Sequence, residues 1–423
     1  MAQTVPSNPL TQGTTLNTTQ TNTSNVIFDA CFFRNSSLQQ DFRDRCNALV
    51  PAAIPSQKEQ GVREVSPEQL TSAGITATRT TASQLRVIGS AIETRLQDLR
   101  ASLNSPNRYA GFAFYQNGSA AQPASGGAAG ADDAIVSPFG VWVNTNYQAG
   151  DVNSTFQDLG YNFKSGGVTL GADMRLMDNL IVGTAFSYLA GDSYFDLSGG
   201  RAQSNSYTGS IYGSYYVVDN VHLDALASYG GTDYDIKRNI QYTITAPTPD
   251  VVNTSTSGSP GGGQYSVSFG GGYDYSYESF NLNPFARFDY SSLEVDGYQE
   301  TGGDGWAARF GRQNVRSLRT TLGAQTSYAV STSFGVLLPY FRAAWTHEYK
   351  DNSRNIGASF VGDPLALSFN IATTDPTRNY ATVGGGISGT FAKGITAFVA
   401  YDTLLGYHNV SSHKVVIGAR LEF

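Results

Sequence analysis

The sequence predicts an all-β membrane protein: a 12-stranded antiparallel up-and-down transmembrane β-barrel preceded by a small α-helical region. Three observations carry that expectation. From Ser137 onward, period-two alternation recurs in twelve segments, many with glycine beside an aromatic residue. The links between them alternate in length: "MDN", "VDN", "YES", "AVSTS" and "AKG" are short, while 149–159, 191–203, 236–263, 296–312 and 350–378 are long. Short turns on one side and long loops on the other are the pattern of an outer-membrane barrel. The final stretch, "VVIGARLEF", puts Val415, Ile417, Ala419, Leu421 and Phe423 on one face and Val416, Gly418, Arg420 and Glu422 on the other.

Composition agrees. Charged residues make up only 14% of the 423, against 46 Gly, 25 Tyr and 23 Phe, which argues against a helical enzyme and for β structure that closes on itself. A net charge of −7 without a basic run speaks against a nucleic-acid partner. No stretch approaches ~18 consecutive apolar residues, so a spanning helix is not expected and a barrel is the remaining way across a bilayer. The opening "MAQTVPSNPL" holds no apolar targeting segment; an exported form is expected to have lost its signal peptide.

Along the chain, residues 1–25 form a Thr/Asn/Gln tract expected to be a disordered polar leader. Residues 26–105 read as helical. Phe28, Phe32, Phe33, Leu38 and Phe42 precede Cys46, and "SPEQL" offers Ser66 as N-cap, Pro67 at the first helical position and Gln69 closing a capping box. Leu85, Ile88, Ile92, Leu96, Leu99 and Leu103 then form one amphipathic stripe, a helix over 83–105 about 33 Å long. In an oxidising compartment Cys31 and Cys46 would close one loop worth about 3 kcal/mol; the alternative is a reduced buried pair. Residues 106–136 are a Gly/Ala-rich linker, and the helical part is expected to fold as a small domain of its own, the 83–105 stripe packing on 26–49. Self-association through helix 83–105 is the alternative.

The barrel segments are 137–148, 160–176, 180–190, 204–217, 220–235, 264–277, 280–295, 313–329, 333–349, 379–392, 394–406 and 411–423. Their faces differ in kind. Pro284, Ala286, Phe288 and Tyr290 oppose Phe285, Arg287 and Asp289; Val221, Leu223, Ala225 and Tyr229 oppose His222, Asp224 and Ser228. Ionisable groups gather on one face, as expected if it lines a hydrated lumen while the other meets lipid. Asp173, Arg175, Asp224, Arg287, Asp289, Arg319, Arg342, Asp402 and Arg420 are the expected lumenal charges, pairing across the lumen in preference to forming an ion path. A soluble β-sandwich also alternates, but has no need of an even strand count, alternating loop lengths and an aromatic last residue together.

Six segments, "GGVTLGADMRL" (166–176), "YTGSIYGSYY" (207–216), "LDALASYGGTDYD" (223–235), "LNPFARFDYSSLEVDGYQE" (282–300), "SLRTTLGAQTSYA" (317–329) and "GVLLPYFRAAWTHEY" (335–349), occur in the order of one family. Residues 137–423 resemble the translocator barrel of autotransporters (type V secretion). The resemblance implies a bacterial outer-membrane location, with outer-membrane lipid, the barrel-assembly machinery and periplasmic chaperones as partners. It also makes the last strand an assembly signal, carried by Gly418, Leu421 and Phe423. Val416 departs from the polar residue usual two positions before that glycine. No repeat of 20 to 50 residues marks a long β-helical passenger, so the short helical region stands in its place.

Chemistry is sparse. There is no G-x-S-x-G or H-E-x-x-H, no metal-ligating spacing, and no cofactor motif, so no catalytic, metal or cofactor residue is expected. "YHNVSSH" gathers His408, Asn409, Ser411, Ser412 and His413, but reads better as a polar hairpin than as a hydrolase site. The expected function is an autotransporter-type barrel that anchors and presents, or translocates, its short N-terminal region. A diffusion channel is the alternative, and an outer-membrane lipolytic hydrolase a weaker one.

Overall fold

The computed structural model describes residues 7–68, 115–116, 119–120 and 139–422, the last apart from 178, 198, 219, 351–354, 374 and 392–394. Twelve long strands close into one antiparallel barrel. They are β1 Phe139–Val152, β2 Tyr161–Met177, β3 Leu180–Phe195, β4 Arg201–Val218, β5 Val221–Ile244 and β6 Gly261–Tyr273, followed by β7 Phe280–Val295, β8 Gln313–Tyr328, β9 Gly335–Glu348, β10 Asn379–Phe391, β11 Ile395–Leu405 and β12 Val410–Glu422. Each pairs with its sequence neighbours, and β12 returns to β1 in register from Val410 opposite Val152 to Glu422 opposite Gly140. The expected segments and the alternation of short and long links are therefore present, and both barrel termini lie at the short-turn rim. Phe423 lies outside the described residues.

The barrel is built inside out. Side chains such as Leu170, Phe186, Ile211 and Ile417 are exposed, while their neighbours Thr169, Ser187, Ser210 and Val416 are buried. In water such an apolar exterior would cost about 25 cal/mol per Å²; in a lipid bilayer it does not. Tyrosines bracket the apolar band: Tyr207 and Tyr215 on β4, and Tyr265 and Tyr273 on β6, are all exposed and eight residues apart. That spacing is about 26 Å of strand, or about 20 Å along the membrane normal at the usual ~40° tilt. Cross-strand pairs continue the upper belt, Tyr188 facing Tyr207 and Tyr229 facing Tyr265.

The N-terminal region departs from expectation. The tract 1–25 is not a featureless leader: helix α1 runs Thr18–Phe33, opened by Asn17, whose side chain accepts from the Gln20 amide while Gln20 reaches back to the Asn17 amide. This reciprocal cap supplies the start that hydrophobic periodicity could not show. Thr19, Thr23 and Ser24 are buried, so small hydroxyl side chains pack where apolar ones were sought. Helix α2 spans Gln40–Leu49 and α3 spans Pro55–Val65, with Pro55 in its first turn. Cys31 and Cys46 are disulfide-bonded, with Cα atoms 5.4 Å apart, joining α1 to α2. Helix 83–105, the continuation of "SPEQL" beyond Glu68, and most of the linker 106–136 lie outside the described residues; Tyr115–Gln116 and Ser119–Ala120 pair antiparallel.

The expected free-standing helical domain is replaced by a different arrangement. The helices share one apolar core with the long connections and the strand ends that carry them. Those connections are partly strands: β5 continues to Ile244, Asp250–Gly258 pairs back on it, and Ala308–Phe310, Asn355–Phe360 and Ser368–Ala372 make a small sheet with Tyr298–Gln299.

Candidate functional site: lumen and mouth of the barrel

Strand alternation places the expected lumenal charges inward, and most are held along the wall. Asp402 on β11 takes Lys414 Nζ at 2.9 Å and Arg342 Nη2 at 3.4 Å, its partners reaching from β12 and β9. Asp289 accepts from Arg287 Nε at 3.1 Å and Ser268 Oγ at 2.8 Å, and faces Arg319 across the β7–β8 ladder. Asp173 accepts from Tyr212 Oη at 3.1 Å, which itself receives Trp142 Nε1 at 2.7 Å. Arg420 is buried on β12 and Arg175 half-buried near the end of β2. These ion pairs join nearby strands of the wall, whereas pairing across the lumen was expected.

Inward groups that escaped the sequence reading include Lys414 and Asp274. Lys414 was legible, since it shares the parity of Val416, Gly418 and Arg420. Asp274 was not, because it sits where β6 enters its turn. It accepts from Tyr216 Oη at 2.9 Å and Asn283 Nδ2 at 2.5 Å, and lies 3.2 Å from His222 Nδ1; His222 Nε2 is 3.7 Å from Asp224. Both signs stand on each side of the lumen: Asp173, Asp224 and Asp274 share the β2–β6 side with Arg175, and Asp402 and Glu348 share the β8–β12 side with Arg319, Arg342, Lys414 and Arg420.

The expected hairpin chemistry does not assemble. His413 Nδ1 pairs with Tyr401 Oη at 2.7 Å, Ser412 Oγ accepts from Gln148 at 2.8 Å, and Ser411 Oγ donates to Asp151. Among the described residues no hydrogen bond joins a serine of this stretch to a histidine.

At the long-connection rim, β5 keeps its parity unbroken beyond the aromatic belt. Ile236, Arg238, Ile240, Tyr242 and Ile244 continue the inward face of His222, Ser228 and Thr232 and are fully buried. They are covered by α3, and Arg238 Nη1 donates to Val65 O at 3.2 Å. Arg238 Nη2 meets Glu300 Oε2 at 2.8 Å with both side chains dry, and Glu300 also accepts from Thr256 Oγ1 at 2.7 Å and the Ala308 amide at 2.9 Å. Phe42 of α2 packs edge-on against Trp306 (5.4 Å) and stacks on Phe360 (5.2 Å), while Trp306 Nε1 donates to Tyr242 Oη at 2.9 Å. Burial pushes the Tyr242 and Tyr298 hydroxyls well up from the usual phenol range. Glu68, enclosed beside α1, accepts from Asn17 Nδ2 and Gln20 Nε2, and burial still pushes its carboxyl up to about 7.

A closed inside-out barrel with both ends at the short-turn rim is the setting in which a family match becomes decisive, and a model described as the autotransporter beta-domain matches residues 141–402. The chain belongs to the autotransporter beta-domain family. Outer membrane protein A of Rickettsia rickettsii is 26% identical over 283 residues, which is 65% of this chain and 12% of that protein. Lipase 1 of Photorhabdus luminescens is 27% identical over 191 residues, 45% of this chain and 28% of that protein. The chain thus spans well under a third of either relative's length. The translocator domain of autotransporter NalP from Neisseria meningitidis shares the fold, with a TM-score of 0.54 at 16% identity, covering 69% of this chain and 90% of that one.

In this autotransporter barrel Gly418 and Leu421, two of the three expected assembly-signal residues, lie at the seam that closes it. Gly418 stands between Phe398 of β11 and Asn144 of β1, and a Cβ there would run into both the Phe398 ring and Asn144 Oδ1. Leu421 faces outward, level with Ile395 and Val141.

Proposed function

We propose that this outer-membrane autotransporter-type barrel anchors its own N-terminal helical unit, residues 7–68, and presents it at the cell surface. One observation carries the reading: the unit is seated at the rim that bears the five long connections, while β1 begins and β12 ends at the opposite rim. Long connections are the extracellular side of outer-membrane barrels, and short turns the periplasmic side. The hairpin 115–120 supports the same polarity, since it touches Tyr275–Tyr277 beside the short turn between β6 and β7.

Assembly by the barrel-assembly machinery, after delivery by periplasmic chaperones, is part of this reading, with Gly418, Leu421 and Phe423 as the address. So is the absence of a catalytic role: the relatives named for hydrolysis share less than a third of their length with this chain, and Ser411, Ser412 and His413 of "YHNVSSH" are bonded elsewhere. The test is an epitope tag at exposed Ser36, between α1 and α2, labelled on intact cells. Labelling comparable to that of a tag near Thr248, with silence from a tag at Asp178, is the expected result. A Ser36 tag reached only after permeabilisation overturns the reading.

A further inference from the structure

We propose that Arg316, on the lipid-facing side of β8, is the centre of a binding site for a phosphorylated glycolipid of the outer leaflet. The inference rests on the reading above for which leaflet the site meets; the side of the wall and the chemistry follow from the strands themselves.

Parity puts the site outside the barrel. Arg319 and Thr321 are buried on the lumenal face of β8, while Leu322, Thr320, Leu318 and Arg316 alternate with them on the outer face, and Arg316 is exposed. The strand begins at Gln313, directly after the long connection 296–312, so Arg316 lies close to the outer rim. Its depth follows from its neighbours. On β6, β7 and β8 the outer face turns from apolar to polar at one level: Val267 gives way to Tyr265, Phe288 to Tyr290, and Leu318 to Arg316. Leu318 is in register with Tyr290, so Arg316 stands two residues beyond a belt tyrosine, about 5 Å along the membrane normal at the usual ~40° tilt. That is headgroup depth, since the polar layer adds about 5 to 7 Å to each side of the hydrocarbon core.

Elsewhere on this rim outward cations have an acid beside them. Lys164 on β2 is opposite Asp192, and Lys237 on β5 is two residues from Asp235 on the same face. Arg316 differs. In register it faces Ser292, and the next side chain on that face of β7, Glu294, is taken by Arg312 Nη1 at 3.1 Å. Among the described residues Arg316 makes no ion pair or hydrogen bond. Its charge is left to whatever occupies the headgroup layer.

The surroundings are aromatic. Tyr265 and Tyr290 stand on one side with ring centroids 6.0 Å apart. On the other, the Tyr349 amide donates to Leu318 O at 2.8 Å, its ring packs edge-on to His347 at 4.7 Å, and its hydroxyl receives the Thr320 hydroxyl at 3.2 Å. A guanidinium presents a planar fork of N–H groups that fits a phosphate, and phenol hydroxyls donate to the remaining phosphate oxygens. The half-exposed rings of Tyr349 and Trp345 offer apolar faces against which the carbons of a sugar ring pack. A headgroup with both phosphate and sugar uses all of these; a phosphate alone uses only the first two.

The experiment uses the full chain in non-ionic detergent, with bound lipid counted by native mass spectrometry. The probes are diphosphoryl lipid A, phosphatidylcholine and inorganic phosphate. Arg316→Gln removes the fork, Arg316→Lys keeps the charge without it, and Arg309→Gln removes an exposed charge from the connection above. Heat-modifiable mobility confirms that each variant is folded. Wild type and Arg309→Gln are expected to hold lipid A in preference to phosphatidylcholine, Arg316→Gln to bind it about tenfold more weakly, and Arg316→Lys to fall between. Equal retention by wild type and Arg316→Gln overturns the proposal, as does a wild type with no preference for lipid A or one that gives it up to inorganic phosphate. So do wild-type dimers that form without lipid and are lost in Arg316→Gln, which would make this face a contact between copies. Surface labelling at Ser36 is unaffected by any of these results, so the two readings fail separately.

Discussion

Arg238 and Glu300 form an ion pair 2.8 Å long from which water is excluded, and they join four segments: β5, α3 through Val65 O, the strand carrying Thr256, and the connection holding Glu300 and Trp306. Dry ion pairs contribute little net stability, but removing one partner strands the other charge at a cost of about 3 to 5 kcal/mol. Glu300→Ala is therefore expected to loosen the N-terminal unit by that amount while the barrel still assembles. Hydrogen exchange at the α3 amides checks it. Unchanged protection there would remove the pair from its role.

The seam at Gly418 makes a second prediction. Phe398 and Asn144 occupy the space of a side chain at that position. Gly418→Val is expected to obstruct closure of β12 on β1, with loss of heat-modifiable mobility. Phe398→Ala combined with Gly418→Val should recover part of it, because the ring is the removable obstacle. Equal assembly of Gly418→Val and wild type would show that the seam tolerates bulk.

The lipid-facing surface gives a third. Ile211 is exposed on β4 midway between Tyr207 and Tyr215, with Ser210 and Tyr212 buried beside it. Ile211→Arg is expected to lower barrel stability by about 2 to 4 kcal/mol, the cost of a cation near the membrane midplane. Unfolding in urea from lipid vesicles measures this.

The fourth concerns pH. Burial holds the Glu68 carboxyl at about 7, against about 4.5 for the exposed group. The folded-state value is the higher one, so the protonated form suits the fold. Its stabilising contribution is complete below about pH 4.5 and falls away as pH rises through 7, by about 3 kcal/mol in all. Protease resistance of residues 7–68 is thus expected to weaken between about pH 4.5 and 7, the interval set by those values, and Glu68→Gln to flatten that slope. A wild-type profile independent of pH would count against the buried carboxyl as its source.

The disulfide gives the last. Cys31 and Cys46 close a loop of 15 residues in sequence separation, worth about 3 kcal/mol. Reduction is expected to lower the unfolding temperature of the N-terminal unit and leave that of the barrel unmoved, as read by separate calorimetric transitions.

The barrel was legible because its signal is local. Period-two alternation requires only that each residue differ from its neighbour, so Val415, Ile417 and Leu421 announce a lipid face, and Asp402 and Arg420 a lumen, without reference to any other strand. Strand number, rim polarity and most inward charges follow from counting such segments and the links between them. The seat of the N-terminal unit could not be read this way. Helix α1 begins in a Thr/Asn/Gln tract whose burial depends on surfaces supplied by residues far along the chain: Arg34 finds Asp363, and Phe42 finds Trp306 and Phe360. Those partners are brought together only when the twelve strands close and set the long connections in a ring. Sequence determined which face of each strand meets lipid, because that choice is made residue by residue; the tertiary structure decided what fills the mouth, because the apolar surface that holds it does not exist until the barrel is complete.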